Sequence, residues 1–384
     1  MRLQVIHETA YRYAPVVETA QHMAFLRPVD TFAQNVLDHE LTISPTPSHL
    51  QHALDAFGNH RSFFALDSAH DALRVVATSE LGTRLIPLPA SLETWEVCAE
   101  RFRFVAHTPF DAACEFTYPS PFVPLDGQFK RYAAPSFGRG QTTLEGARDL
   151  MGRIYNDLTY DPHSTEINTP ALQALTQRRG VCQDFAHIMI ACLRALGLSA
   201  RYVSGYVLTE PVPGQPKMMG ADASHAWVQV AVSQDDGSTC WCDFDPTNNR
   251  CGCDAPGDAY ITLARGRDFS DVSPLRGVIQ GGNSHTLRVG VTVTRLDELP
   301  ASHGNSNINN NNISAVAAQQ GSQVSGQSQS QSQSQGQNGT SNQMGWLSPT
   351  GAAGMNEPWH GSQLGDSQYG SGSGSGSGSG QNNF

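Results

Sequence analysis

The 384-residue chain has no stretch of the roughly eighteen consecutive apolar residues that a helical membrane span needs, which argues against a helical membrane protein. Its first residues, Met1-Arg2-Leu3-Gln4-Val5-Ile6-His7-Glu8, are polar where a secretory leader requires an apolar core. Positive charge is in short supply. With 24 Lys and Arg against 35 Asp and Glu, the formal net charge is −11, which argues against a nucleic-acid-binding surface as the main function. These absences lead to the expectation of a soluble cytoplasmic protein, with neither membrane nor nucleic acid among its partners. Eight cysteines in such a compartment are expected as reduced thiols and not as a disulfide framework.

Residues 1–90 lack any amphipathic helix of convincing length. What they contain is strand-like: Leu3 to His7 and Thr9 to Tyr13, Asn35 to Ser44, Ser62 to Leu66 and Leu73 to Thr78, punctuated by Pro28, Pro45, Pro47, Gly58-Asn59 and Gly82. An antiparallel sandwich or curled sheet is the expectation. His7, His22, His39, His52, His60 and His70 are scattered without ligand spacing and read as surface or structural histidines. Residues 91–140 form a proline-broken linking segment. There Leu92 to Phe104 fits helix or strand equally, and Tyr118, Phe122, Phe129 and Tyr132 read as packing aromatics.

Helical signals begin at Thr142-Thr143-Leu144-Glu145, a capping box, followed by Leu144, Ala147, Met151, Ile154 and Leu158 on one helix face. Thr169-Pro170 starts a short second helix with the proline at its first position. That helix leads into Arg179-Gly180-Val181-Cys182-Gln183-Asp184-Phe185-Ala186-His187. Val181, Phe185, Ile188, Met189, Cys192, Leu193 and Leu196 then recur at helical spacing, and Gly197 is the stop. Cys182 therefore sits at the start of a buried helix, where unpaired backbone N–H groups and the helix dipole favour a thiolate. Arg178 and Arg179 push the same way, and Gly180 leaves room for a substrate chain to approach. Asp184 reads as a carboxylate favoured by the dipole, and His187 as structural.

Ala200 to Leu208 reads as a strand. Ser224-His225-Ala226-Trp227-Val228-Gln229-Val230-Ala231-Val232 alternates as a half-buried strand, and Cys240-Trp241-Cys242-Asp243-Phe244-Asp245 is the next, closed by Pro246. A five-residue loop over 233–237 puts Val232 opposite Ser238 and His225 opposite Asp245, near enough for the carboxylate to hold the imidazole. A two-residue turn at Asp236-Gly237 loses that pairing, and Asp243, on the same face, is then the standby. Cys182, His225 and one of these carboxylates would make a nucleophile, a base and its orienter, acting on a carbonyl group. The Cys182 backbone N–H is the obvious oxyanion donor, and Gln183 is a guess for the second.

These blocks, together with Ala195-Leu196-Gly197-Leu198-Ser199-Ala200-Arg201-Tyr202-Val203-Ser204-Gly205-Tyr206 and Phe244-Asp245-Pro246-Thr247, resemble the bacterial transglutaminase-like superfamily. The N-terminal blocks His7-Glu8-Thr9-Ala10-Tyr11-Arg12-Tyr13, Leu26-Arg27-Pro28 and Phe57-Gly58-Asn59 resemble the β-rich domain often joined to its core. Residues Arg265 to Pro274 and Leu287 to Thr294 resemble its usual continuation. The resemblance implies an α+β chain: a β-rich domain over 1–90, a linking segment over 91–140 and a papain-like core over 141–297. It also implies that Cys182 is the nucleophile, His225 the base and Asp245 the orienter, with no cofactor or metal.

The resemblance further implies a cysteine peptidase or amidase working through a thioester on a peptide or protein substrate. Transfer of the acyl group to an amine is the alternative, and an inactive peptide-binding module a third. It also implies association with an ATP-dependent peptide-ligase system. Two features fall outside it. Cys240-x-Cys242 and Cys251-x-Cys253 are too closely spaced for the commoner zinc pattern and read as incidental or redox-sensitive thiols. Residues 298–384, rich in Asn, Gln, Gly and Ser with Trp346, Trp359 and Tyr369 isolated among them, are expected to be disordered.

Overall fold

Strand β1 (Arg2–Ala24) is long enough to serve two neighbourhoods of one antiparallel sheet. Its alternation buries Leu3, Val5, His7, Thr9, Tyr11 and Tyr13. Beyond Val17 the buried set becomes Ala20, His22 and Ala24, and an irregular register between Val17 and Thr19 marks the change of phase. In this computed structural model, which describes residues 1–90, 93–107, 111–209, 224–233, 238–296 and 345–347, eight strands make up that sheet. The first half of β1 pairs with β5 (His70–Thr83) and β14 (Ser284–Arg295), and β5 pairs with β2 (Gln34–Ser44). The second half pairs with β4 (His60–Leu66) and β13 (Leu275–Gly281), and β4 pairs with β3 (His49–Leu54). Residues 275–295, placed with the core on sequence grounds, thus hydrogen-bond to β1.

The linking segment is more helical than its prolines suggest. It holds α1 (Trp95–Arg101), a 3-10 turn at Ala112–Thr117 and α2 (Gly127–Ala133). Phe129 is buried in the core, Phe122 stacks on His187 with ring centroids 5.3 Å apart, and the Tyr132 hydroxyl donates to Asp157.

The core pairs helices with a second antiparallel sheet. Helix α3 (Thr143–Asp157) opens on the expected capping box: Thr142 Oγ1 accepts from Glu145 N, and the Glu145 carboxylate accepts from Thr142 N. The short strands β6 (Thr159–Tyr160) and β7 (Arg179–Gly180) pair in parallel around α4 (Ala171–Gln177) and deliver the chain to α5 (Cys182–Arg194). Pro170 caps α4 from just outside the helix, one position earlier than expected. Every residue of α5 from Asp184 to Arg194 is buried, and the helix packs on the five-stranded sheet β11-β10-β9-β8-β12. These strands are β8 (Ala200–Val207), β9 (Ser224–Ser233), β10 (Thr239–Asp245), β11 (Arg250–Cys253) and β12 (Tyr260–Gly266), and the one-turn helix α6 (Phe269–Val272) follows. Helix α5 ends as its sequence dictates. Gly197 takes a φ of 85°, Gly197 N donates to Arg194 O and Leu198 N to Leu193 O.

Among the described residues, no helix is long and apolar enough to cross a membrane. The tail expectation lies outside the described residues except at β15 (Gly345–Leu347), which pairs antiparallel with β13.

Candidate active site

Three elements converge on one end of the core sheet. Helix α5 presents Cys182 at its first position, β9 presents His225 near its start, and β10 ends on Asp245. His225 Nε2 donates to Asp245 Oδ2 at 2.8 Å, and the Cys182 sulfur lies close enough to the imidazole to favour its charged form. Asp245 is fully buried, and its carboxylate is saturated. Oδ2 also accepts from the Tyr260 hydroxyl and from Asn248 Nδ2, each at 2.7 Å, while Oδ1 accepts from Thr247 N and Asn248 N.

The electrostatics follow from this packing. Burial opposes charge on His225, but the Asp245 carboxylate and the Cys182 sulfur outweigh it and push the imidazole up to about 10. Burial likewise opposes charge on Asp245. The His225 charge and the donors on Oδ2 prevail, holding the carboxyl below its ordinary value. The favoured state is therefore an imidazolium between a carboxylate and a sulfur.

The strand register differs from the sequence expectation. Ser233 pairs with Thr239 and Val232 with Cys240, so the loop is still five residues long but runs over 234–238. Displacing the loop by one residue shifts the ladder, and Gln229 faces Asp243. His225 and Asp245 keep the same face but meet diagonally, not as directly opposed residues. The same shift removes Asp243 as an alternative partner. Its oxygens accept from Trp227 Nε1 at 2.7 Å and Gln229 Nε2 at 3.0 Å, and burial pushes its carboxyl up to about 7.

Other residues singled out in the sequence take roles of their own. Gln183 Nε2 donates to the Ile167 carbonyl, so this side chain is engaged with the loop before α4. Arg178 pairs with Asp157 at 3.0 Å on the surface, so its charge is matched there by a carboxylate. Gly180 makes room for Asp184 and not for a substrate: a Cβ there would stand 2.7 Å from the Asp184 carboxylate. That carboxylate accepts from Val181 N at 2.8 Å and Thr165 Oγ1 at 2.6 Å, pinning the chain just before the cysteine to the 161–169 loop. Replacing Asp184 with alanine strands both donors and is expected to cost roughly 1–3 kcal/mol. Urea denaturation checks this, and an unchanged midpoint would contradict the bracing role.

His187 is buried, stacked on Phe122, and its Nε2 accepts from Phe269 N; burial lowers it to about 4, so it stays neutral. Cys240 and Cys253 bring their sulfurs to 3.4 Å across the β10–β11 hairpin, and Cys242 faces Cys253 in the ladder. Tyr260 and Asn248, the two further donors to Asp245 Oδ2, carry no motif in the sequence. Asn248 could have been suspected from its position just past Asp245-Pro246-Thr247. No local signal marks Tyr260, which reaches Asp245 only through the fold.

A papain-like cysteine core joined to a β-rich N-terminal domain is the class that this fold and this trio define. Residues 3–81 match the bacterial transglutaminase-like N-terminal region, and residues 130–246 match the transglutaminase-like superfamily. The chain belongs to that superfamily. It is 39% identical over 293 residues to an uncharacterized protein of Mycobacterium tuberculosis, covering 74% of this chain and 90% of that one. To an uncharacterized protein of Mycobacterium leprae it is 30% identical over 302 residues, covering 77% and 99%. A solved structure from Cytophaga hutchinsonii, provisionally named a cysteine protease, shares the fold with a TM-score of 0.58 and 23% identity. It covers 79% of this chain and 94% of that one.

Proposed function

We propose that the protein is a cysteine hydrolase, a peptidase or amidase, that cleaves peptide or isopeptide amide bonds through Cys182, His225 and Asp245. The observation that carries this reading is the bond from His225 Nε2 to the buried, saturated Asp245 carboxylate, with the Cys182 sulfur near enough to act on the same imidazole. A base fixed in this way has one tautomer and one orientation, as a proton carrier for a thiol requires.

In the first half-reaction the Cys182 sulfur attacks the amide carbonyl carbon and a C–S bond forms. The negative charge moves to the oxygen, facing the backbone N–H groups at the start of α5. The C–N bond then breaks, and the leaving amine takes the proton held by His225. The product is a thioester on Cys182. In the second half, His225 takes a proton from water as the water oxygen attacks the thioester, the acid departs and the sulfur is restored.

Transfer of the acyl group to an amine uses the same thioester and is the second reading. Incubation of the pure protein with a peptide-amide library, with and without an added primary amine, separates the two. Free acid in both arms is the expected result. Amine adduct with no free acid would sink the hydrolase reading. An inactive peptide-binding module would yield neither product.

A further inference from the structure

We propose that Tyr260 is a positioning residue of the Cys182–His225–Asp245 trio, and that the N-terminal region, through Gln34, holds Tyr260 in place. The proposal rests on the reading of those three residues as nucleophile, base and orienter.

A carboxylate oxygen presents two lone-pair sites, yet Asp245 Oδ2 takes three donors: His225 Nε2 at 2.8 Å, Tyr260 OH at 2.7 Å and Asn248 Nδ2 at 2.7 Å. The tyrosine hydroxyl therefore shares the negative charge that holds the imidazolium. Burial and the Asp245 charge both raise the tyrosine's own proton affinity, so it remains a donor. Its ring is buried in a cluster with Ala33, Val203, Trp227 and Ala255, and it meets the Trp227 ring edge-on at 5.5 Å. The hydroxyl's position is accordingly fixed by packing from several elements. Gly205 makes this packing possible. A Cβ on it would stand 2.4 Å from the Trp227 ring and 2.1 Å from the Ile261 carbonyl.

Tyr260 opens β12, which is the last strand on its side of the core sheet. The outer edge of that strand is taken up by the N-terminal region. The buried Gln34 side chain acts as a one-residue strand partner: its Oε1 accepts from Thr262 N at 2.8 Å, and its Nε2 donates to Thr262 O at 2.9 Å and Val29 O at 2.7 Å. Thr83 Oγ1 donates to the carbonyl of Asp258, two residues before Tyr260. The β-rich domain thus grips the segment that carries the hydroxyl on both sides of Tyr260.

The titratable groups that face His225 are Asp245 from β10, Cys182 from α5 and Tyr260 from β12, with Arg250 on β11 acting on Tyr260; the uncharged Asn248 and Trp227 complete its surroundings. Removing the hydroxyl concentrates the charge of Oδ2 on the two remaining donors. In Tyr260→Phe the ring and its packing remain, so the fold is retained.

The test is the NMR titration of the His225 ring in the full-length protein, assigned by difference from His225→Gln. Tyr260→Phe is expected to move the midpoint upward by roughly half a pH unit or more. Gln34→Ala is expected to move it in the same direction. The double variant is expected to move it no further than Tyr260→Phe alone, because Gln34 acts through Tyr260. A lost packing contact would lower the melting temperature without moving this midpoint. An unmoved or lowered midpoint in Tyr260→Phe overturns the proposal, and an unmoved one in Gln34→Ala overturns the role of the N-terminal region. The titration uses no substrate. If Asp245→Asn also left the midpoint where it is, the reading of the trio itself would fall, which keeps the two failures distinct.

Discussion

His225→Ala is expected to lose turnover by a factor of about 10²–10⁴ while leaving Cys182 in place at the head of α5. The imidazole has two duties in the proposed cycle, giving a proton to the leaving amine and taking one from water, and no neighbour can substitute. Asp245 points at the ring's Nε2, His187 is buried at the far side of α5 against Phe122 and Tyr202, and Gln183 is committed to Ile167. Loss of the ring therefore removes both proton transfers at once. The check is kcat/KM on whichever peptide amide the library identifies, beside Cys182→Ala. The two variants are expected to be almost equally impaired, because residues that act as a unit do not contribute additively. Near-normal turnover by His225→Ala would mean that another group handles the proton.

Asp245→Asn is expected to have the next largest effect, and it shows most clearly in pH dependence. The wild-type imidazole is pushed up to about 10 because burial, which alone would depress it, is outweighed by the Asp245 carboxylate and the Cys182 sulfur. An amide at 245 removes the larger of these favourable contributions, so the midpoint is expected to fall toward the ordinary histidine value of 6.5. The alkaline limb of turnover should fall with it. Stability follows the same linkage. The folded His225 binds its proton more tightly than the unfolded chain does. Its contribution is complete below pH 6.5 and is lost as pH rises through that value toward 10. The Asp245 carboxyl is lowered in the fold, so its contribution is present above its ordinary value of 3.8 and fades below it. The stability difference between wild type and Asp245→Asn should therefore be largest between about pH 4 and 6.5 and should shrink toward pH 10. Urea titrations at pH 5.5 and 9.5 measure it. A difference that grew with pH would contradict the pairing.

Much of the site could be read in one dimension because its signals are local. The Thr142–Glu145 capping box, the apolar spacing after Cys182, the Gly197 stop and the alternation of Ser224 to Val232 each depend on residues within a few positions. The capping box, the helix and its stop recur in the fold; Ser224 to Val232 is a strand but not a half-buried one, since α5 covers one face and the cluster around Trp227 and Tyr260 closes the other from Ala226 onward. The register of the β9–β10 hairpin was not legible in the same way. Strand alternation fixes which residues share a face, but it leaves the pairing free to slide by two, and only the loop's exact start removes that freedom. The preference for Asp245 over Asp243 accordingly came from the resemblance. Its physical cause is that Trp227 and Gln229 already occupy the Asp243 oxygens.

Long-range pairing was equally silent. Nothing near β13 and β14 announces that they return to β1, about 250 to 290 residues away in sequence. Tyr260 was missed for the same reason. Its partner lies three strands across the sheet, beyond β8 and β9, and a tyrosine at the start of a strand looks like packing until the carboxylate beneath it is seen.

The central claim is that His225 sustains a reactive Cys182 sulfur, and site-resolved alkylation tests it most directly. Wild type and His225→Ala are treated with iodoacetamide near pH 6.5, and modification of the Cys182 peptide is followed by mass spectrometry, with the other cysteines as internal controls. Cys182 of the wild type is expected to react about ten-fold faster or more, since only there is an imidazole at hand to take the thiol proton. Equal rates in the two proteins would contradict the account and favour a cleft that binds peptides without cleaving them.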